Sequence, residues 1–361
     1  MGRHVKQSEY MYWAKSQVGA DFPLATSDLD HLPIADLNLS LDDIEITGSS
    51  RYGYVPLRER IAQHSGVGAE NVVYTVGTAM ANHIAMATLI EPGDEILIEH
   101  PTYELLISTA QYLGASIKRF HRRFENAFTI DPAEIKTLIG PRTKLIVFAN
   151  LNNPTSAYTD KDTLIAVGEI ADRTGVRVLV DEVYLDAAFS QQPKSAFHLG
   201  NQFVTTTSLT KVYGLSGLRC GWILAESQLA EQMWRLIDLF YATPVHASEL
   251  LSTRVFEKMA QVRGRAQSIL MKNGELIAEF LDSHKQIRAI PYVGGLVVFP
   301  RLLNKSVDRL HSHLNEKYRT SIVPGRFFEM PDHFRIGLGM KAEILSQGLR
   351  NIGKALDDLD P

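Results

Sequence analysis

Along the middle of the chain, short apolar runs alternate with longer segments in which apolar residues recur every three to four positions. The runs are Val72–Val76, Glu95–Glu99, Ser116–Phe120, Lys144–Ala149, Val176–Val180, Phe203–Thr207 and Gly221–Ala225. They are rich in Val and Ile and bounded by Gly, Pro, Asn or Asp, the pattern of short buried strands. Helical periods over Met80–Ile90, Thr102–Leu113 and Lys161–Thr174 fall between them. Strand, helix, strand at this spacing predicts an α/β fold: a mostly parallel seven-stranded sheet covered by helices, within a large domain over residues 47–241. The pattern then changes. Gln228–Tyr241 and Ala247–Ser283 read as helices, Leu296–Phe299 and Phe334–Gly337 as short strands, and Lys341–Leu359 as a last helix. Residues 242–361 are therefore expected to form a smaller α+β domain. Residues 1–46, with a helix over Ser8–Val18, are expected to join it.

Composition narrows the function classes. The 361 residues carry 37 Lys and Arg against 41 Asp and Glu, a net charge of −4. With a pI near 6.3, no basic face for nucleic acid or an acidic membrane is implied. The single cysteine, Cys220, excludes a disulfide framework and any multi-cysteine metal site, and its expected role is packing. Mean hydropathy is −0.07. No apolar run approaches the ~18 residues that a membrane helix needs. The N-terminal MGRHVKQSEY lacks the apolar stretch of a signal peptide, and Lys6 stands where a myristoylation signal needs Ser or Thr. A cytoplasmic protein is expected, in which the sequons at Asn38 and Asn304 stay unmodified.

In an open parallel sheet, ligands bind beyond the C-terminal ends of the strands. After Val72–Val76 comes Gly77-Thr78-Ala79, opening a helix; this is either an ordinary connection or a phosphate site built on free N–H groups. Neither the Gly-x-Gly-x-x-Gly dinucleotide pattern nor a P-loop is present. Tyr103 follows Glu95–Glu99 and either closes the core or stacks on a flat ring. Asn153-Pro154 is a turn that can also present a hydrogen-bond donor. Asp181, Glu182 and Tyr184 follow a strand of apolar residues, and a buried acid there needs a partner. After Phe203–Thr207 come the hydroxyls of Ser208 and Thr210 and then Lys211, with Arg219 eight residues on. A desolvated lysine is the usual Schiff-base nucleophile.

One cofactor explains these strand ends together. Pyridoxal phosphate needs a lysine for its aldehyde and a carboxylate for its pyridine nitrogen. It also needs an aromatic face, a donor for the ring hydroxyl and a cationic, hydroxyl-rich cup for the phosphate.

The motifs VDEVY (180–184), NNPTS (152–156) and above all SLTKVYGLSGLRCG (208–221) resemble those of the fold-type I, class I/II pyridoxal-phosphate aminotransferases. GGLVVFP (294–300), IVPGRFF (322–328) and HFRIGLG (333–339) extend the likeness over most of the chain. The resemblance implies that Lys211 forms the Schiff base, Asp181 pairs with the pyridine nitrogen and Tyr103 stacks on the ring. It implies that Asn153 and Tyr184 bond the ring hydroxyl. The turn at Gly77, Thr78 and Ala79 would hold the phosphate with Ser208 and Arg219, while Arg335 grips the substrate α-carboxylate. SSRYGYVPLRERIA (49–62) resembles the segment whose tyrosine reaches the phosphate of the other subunit. That implies a homodimer with shared sites, with Tyr52 preferred to Tyr54. Ser156 stands where a glycine is common, and Thr210 where a serine is. The implied activity is transfer of an amino group from an amino acid to a 2-oxo acid. The rival on the same cofactor is a β-eliminating lyase or a ring-forming amino-acid synthase. A regulator carrying this fold would need a DNA-binding module, and no basic helix-turn-helix pattern precedes the large domain.

Three other features are read plainly. His311 and His313 lie two apart, the wrong spacing for one helix face, so no metal is expected. Arg122 and Arg123 are expected to be solvated loop charges. Tyr10, Tyr12 and Trp13 make an aromatic N-terminal helix that either packs on the small domain or lines the site entrance.

Overall fold

The structure is a computed structural model that describes residues 7–359 apart from 18, 40, 41, 43, 49 and 50. Lys6, the predicted helix end at Val18 and the opening Ser49-Ser50 of the 49–62 motif lie outside the described residues.

Seven strands form the main sheet: β1 (Val72–Val76), β2 (Glu95–His100), β3 (Ser116–His121), β4 (Thr143–Ala149), β5 (Arg177–Asp181), β6 (Phe203–Ser208) and β7 (Cys220–Leu224). Their order is β1-β7-β6-β5-β4-β2-β3. β7 runs antiparallel to both neighbours, and the other pairs are parallel. The helices are α1 (Glu9–Ser16), α2 (Val55–Ser65), α3 (Thr78–Leu89), α4 (Glu104–Tyr112), α5 (Pro132–Leu138), α6 (Lys161–Thr174), α7 (Ser227–Ile237), α8 (His246–Glu257), α9 (Met259–Ser283), α10 (Val307–Tyr318) and α11 (Ala342–Asp358).

The central strands read as unbroken apolar runs because both faces are covered. Side chains alternate between two cores. Leu97, Ile146, Val178 and Val180 pack with Leu164, Val167 and Ala171 of α6 on one side. Ile96, Ile98, Leu145, Val147 and Leu179 join Ile84 and Ala85 of α3 on the other. Helix α6 starts where the Asp160 carboxylate accepts from Thr163 N–H, and stops at Gly175, whose φ is +69°.

The helical run Ala247–Ser283 corrects to two helices that meet at Lys258, where φ and ψ are −113° and 18°. The reason is packing: α8 lies on α2, whereas α9 lies on α11, and one straight helix cannot serve both. A three-stranded antiparallel sheet, β8 (Val297–Val298), β9 (Val323–Pro324) and β10 (Phe334–Gly337), has β10 at its centre. Residues 24–30 form a strap between this sheet and the Lys211 loop. Gly337 N–H donates to Leu24 O (2.7 Å), Asp30 N–H to Gly339 O (2.6 Å), and Leu29 N–H to Lys211 O (3.0 Å). The glycines of HFRIGLG make this close approach possible: a Cβ on Gly339 would lie 2.1 Å from Asp28 O. Among the described residues, no helix is long and apolar enough to cross a membrane.

Candidate active site

A cavity of about 510 Å³ opens at the C-terminal ends of β4, β5 and β6. Its lining includes Thr78, Ala79, Tyr103, Asn153, Asp181, Tyr184, Ser208, Lys211 and Arg219. Residues as many as 141 positions apart in this set thus meet in one space, because the parallel strands all end at the same edge.

One end of the cavity is a polar cup. Gly77, at φ +89°, turns the chain from β1 into α3 and leaves the first N–H groups of that helix free of intrahelical partners. A Cβ at Gly77 would sit 2.4 Å from Arg219 Nη2, so only glycine lets the guanidinium this close. Arg219 is oriented by donating to Val76 O at 3.2 Å. The hydroxyls of Thr78 and Thr210 are both buried without a protein partner. Ser208 Oγ accepts from Thr210 N–H at 3.2 Å. Buried hydroxyls without partners are uncommon in folded proteins. Together with a helix N-terminus and an arginine, they fit a phosphate group.

At the centre, Asp181 ends β5 and is 4% exposed. Its carboxylate accepts from Asn82 Nδ2 (2.8 Å) and from Val183 N–H (3.0 Å), and Thr206 Oγ1 donates to Asn82 Oδ1 (2.6 Å). Burial pushes its pKa up to about 6, against these hydrogen bonds. Such an acid lacks a cation, which the protonated nitrogen of a pyridine ring supplies. Tyr103 and Tyr184 border the same space, and burial holds both phenols above their ordinary pKa, so they stay neutral.

Lys211 follows β6, and its side chain is 30% exposed to the cavity. Its Nζ donates to Asp28 Oδ1 at 2.5 Å and to Ser27 Oγ at 3.4 Å. Burial works to lower its pKa, but Asp28 and the nearby phenols outweigh that, and the net shift is upward. Arg335, on β10, is 1% exposed and donates to Asn153 Oδ1 (2.9 Å), Tyr10 hydroxyl (2.9 Å) and Ala25 O (3.0 Å). Its Nε is buried without a partner.

The aromatic N-terminal helix does both things considered for it. Trp13 packs on Phe327 at 4.8 Å and Tyr10 on Phe327 and Phe328, while Tyr10, Met11 and Ala14 line the cavity. Tyr12 is 79% exposed.

Tyr52 is not brought to the cavity of its own chain. It lies on the surface, its hydroxyl donating to Asp238 at 2.9 Å and its ring against Trp234. Tyr54 packs edge-on to His246, and its N–H donates to Glu249. Arg122 corrects the sequence reading outright. It is 1% exposed, paired with buried Glu99 at 2.6 Å, and donates to Phe128 O, Ala149 O and Thr159 Oγ1. The neighbouring strand β2 carries Glu99 inward, so the arginine that follows β3 turns into the core to meet the acid. Arg123 is half exposed and bridges to Glu134. Cys220 is buried in the core. Ser156 adopts φ +57°, which explains why glycine is common there. Sequence reasoning missed Asn82, Ser27 and Asp28. Asn82 carried a weak signal, a polar residue on the buried face of a helix; Asp28 carried none.

Residues 24–352 match the family model described as aminotransferase class I and II. The arginine–pyruvate transaminase of Pseudomonas aeruginosa is 25% identical over 354 residues, covering 93% of this chain and 90% of that protein. Capreomycidine synthase of Streptomyces vinaceus is 26% identical, over 88% of this chain and 82% of that one. In fold, the chain is similar to a crystal structure of a PLP-dependent aminotransferase from Streptococcus suis. The TM-score is 0.94 and the identity 24%, with 99% of this chain and 100% of that one covered.

Proposed function

Because the chain belongs to the class I and II aminotransferases, and is a pyridoxal-phosphate-dependent transaminase, we propose that Lys211 carries the cofactor and moves the proton of the reaction. The observation that carries this is Lys211 and the buried, cation-seeking Asp181 lining one cavity, with unpartnered hydroxyls at its end. Thr78, the N–H of Ala79, Ser208 and Arg219 hold the phosphate, in the turn that Gly77 permits. Asp181 faces the ring nitrogen, Asn153 and Tyr184 the ring hydroxyl, and Tyr103 covers one ring face. Bound there, pyridoxal phosphate supplies an electron sink for the pair left when a substrate α-carbon loses its proton. Lys211 Nζ takes that proton from the α-carbon and would give it back two atoms away, beyond the amino nitrogen, as base and then acid. Arg335 forks onto the α-carboxylate, which fixes the α-carbon in front of Lys211.

Two coarser proposals accompany these roles. Residues 47–241 act as the cofactor-holding domain, and residues 242–361 with 1–46 act as a domain that closes over it, supported by the separate sheets. The protein works in the cytoplasm as a homodimer, in which Tyr52 reaches the phosphate of the other subunit. Support comes from exposed Leu239, Phe240 and Val245, which follow Asp238 in the chain, and from exposed Tyr52, whose hydroxyl donates to Asp238.

The likeness to capreomycidine synthase keeps one second reading, ring formation or elimination on the same cofactor. A half-reaction decides between them. Amino acids, L-arginine first, are mixed with stoichiometric holoenzyme, and pyruvate is then added. Transamination yields pyridoxamine phosphate and one equivalent of 2-oxo acid, and pyruvate restores the starting spectrum. Release of product with no such conversion and no need for a 2-oxo acid would support the second reading.

A further inference from the structure

Asp28 has no task in the roles assigned so far, yet it is built into the cavity wall. Its backbone is clamped by Leu29 N–H on Lys211 O and Asp30 N–H on Gly339 O, and its carbonyl lies against Gly339 where no Cβ fits. Its side chain is 37% exposed, toward the cavity. The carboxylate touches the Nζ of the lysine to which a substrate must come.

The cavity's charges make this placement informative. Lys211 and Arg219 are its cationic lining residues, and Arg335 stands just behind the lining residues Tyr10 and Asn153. Arg219 belongs to the cup and Arg335 to the α-carboxylate, and Lys211 is consumed by covalent work. Toward the entrance the lining continues with Gln17, Gly19, Ala20, Asn315 and Ser321, all uncharged. Among the described residues of this chain, no cation remains for a second substrate carboxylate. Asp28 offers instead a negative charge in a partly dry space, where an unpaired ion is costly. Once Nζ turns to its covalent role, the carboxylate needs a new positive partner.

We propose that Asp28 recognises a second cationic group on the amino donor, so that the substrates are diamino and guanidino acids rather than acidic or purely apolar ones. The inference rests on the transaminase reading. It also removes a difficulty in it. An amine held by a carboxylate stays protonated and is a poor base. A donor that engages Asp28 with its own cation takes that carboxylate away and leaves Nζ free to accept the α-proton.

The test compares ornithine with norvaline, which has the same length but no distal ammonium, on wild type, Asp28→Asn and Asp28→Glu holoenzyme. Two quantities are read: the kcat/KM ratio of the pair, and the Kd ratio of their α-methyl analogues, which have no proton to lose. The second needs no turnover, so it stands even where the transaminase reading fails. Wild type should favour the cationic member in both. Asp28→Asn should cut both ratios by ~10- to 100-fold, the usual weight of a charge-assisted bond, and Asp28→Glu should restore part of the preference. Ratios that do not move, or two donors that weaken equally, would overturn the proposal. The second result would assign Asp28 to Lys211 or to the α-amino group.

Discussion

Asp181 ends a strand of apolar residues and sits 4% exposed, so its charge is tolerated only through its neighbours. Two hydrogen bonds hold it, and its pKa still rises to about 6. A ring-nitrogen cation is what this site is short of. Asp181→Asn keeps the shape and removes the charge. Proton removal from the substrate should then slow by on the order of 10²-fold or more, since preorganised charge of this kind is worth several kcal/mol. Cofactor affinity, read by equilibrium dialysis, should fall far less; near-normal single-turnover rates would place another group at the nitrogen. Arg335 makes a second case. Its fork is aimed by Asn153, Tyr10 and Ala25. Arg335→Lys keeps a charge but loses the planar pair of donors. Amino-acid binding should weaken by about 1.5–3 kcal/mol, and binding of the corresponding decarboxylated amines should hardly change. Equal losses for both would show that Arg335 holds the site's shape rather than the carboxylate.

At the scale of elements, period 2 in β5 sends Asp181 to the cavity and its neighbour Glu182 to the other face. Glu182 is 5% exposed and accepts from Ala196 N–H at 2.7 Å, and burial pushes its pKa up to about 8. Its folded pKa lies above the ordinary 4.5. Stability is therefore full below pH ~4.5 and is lost as pH rises toward ~8. Glu182→Gln cannot ionise. In urea titrations its stability advantage over wild type should grow across that window, by up to about 5 kcal/mol. A difference that stays flat with pH would mean that folding does not raise the Glu182 pKa. The same strands explain what could be read from sequence. Val- and Ile-rich runs between turn residues locate all seven strands, and the residues just past them supply Thr78, Tyr103, Asn153, Asp181 and Lys211. The direction of β7 left no such trace, because an antiparallel strand buried on both faces has the same composition as a parallel one. The burial of Arg122 depends on Glu99, 23 residues away. Asp28 meets Lys211 across 183 residues, through a strap with no periodicity to betray it.

For the whole molecule, the exposed position of Tyr52 makes the proposed assembly testable. If Tyr52 serves the partner's phosphate, its loss and the loss of Lys211 fall on different subunits of any one site. Tyr52→Phe should loosen the cofactor, and Lys211→Ala should abolish turnover. In a mixed dimer, one site then combines an intact Lys211 with an intact Tyr52, and the other carries both lesions. Activity and tight cofactor binding should return in that one site after subunit exchange is verified by mass spectrometry. No recovery would assign Tyr52 to its own chain, or the role to Tyr54.

The proposed chemistry converges on one side chain, Lys211, which follows β6 and lines one cavity with Asp181. Borohydride reduction of the yellow holoenzyme, followed by peptide mapping, reads that point directly. The account predicts a single phosphopyridoxyl label on Lys211, absent from Lys211→Ala, which should still retain cofactor through Ser208 and Arg219. A label on any other lysine, or reduction that leaves no covalent adduct, would contradict it.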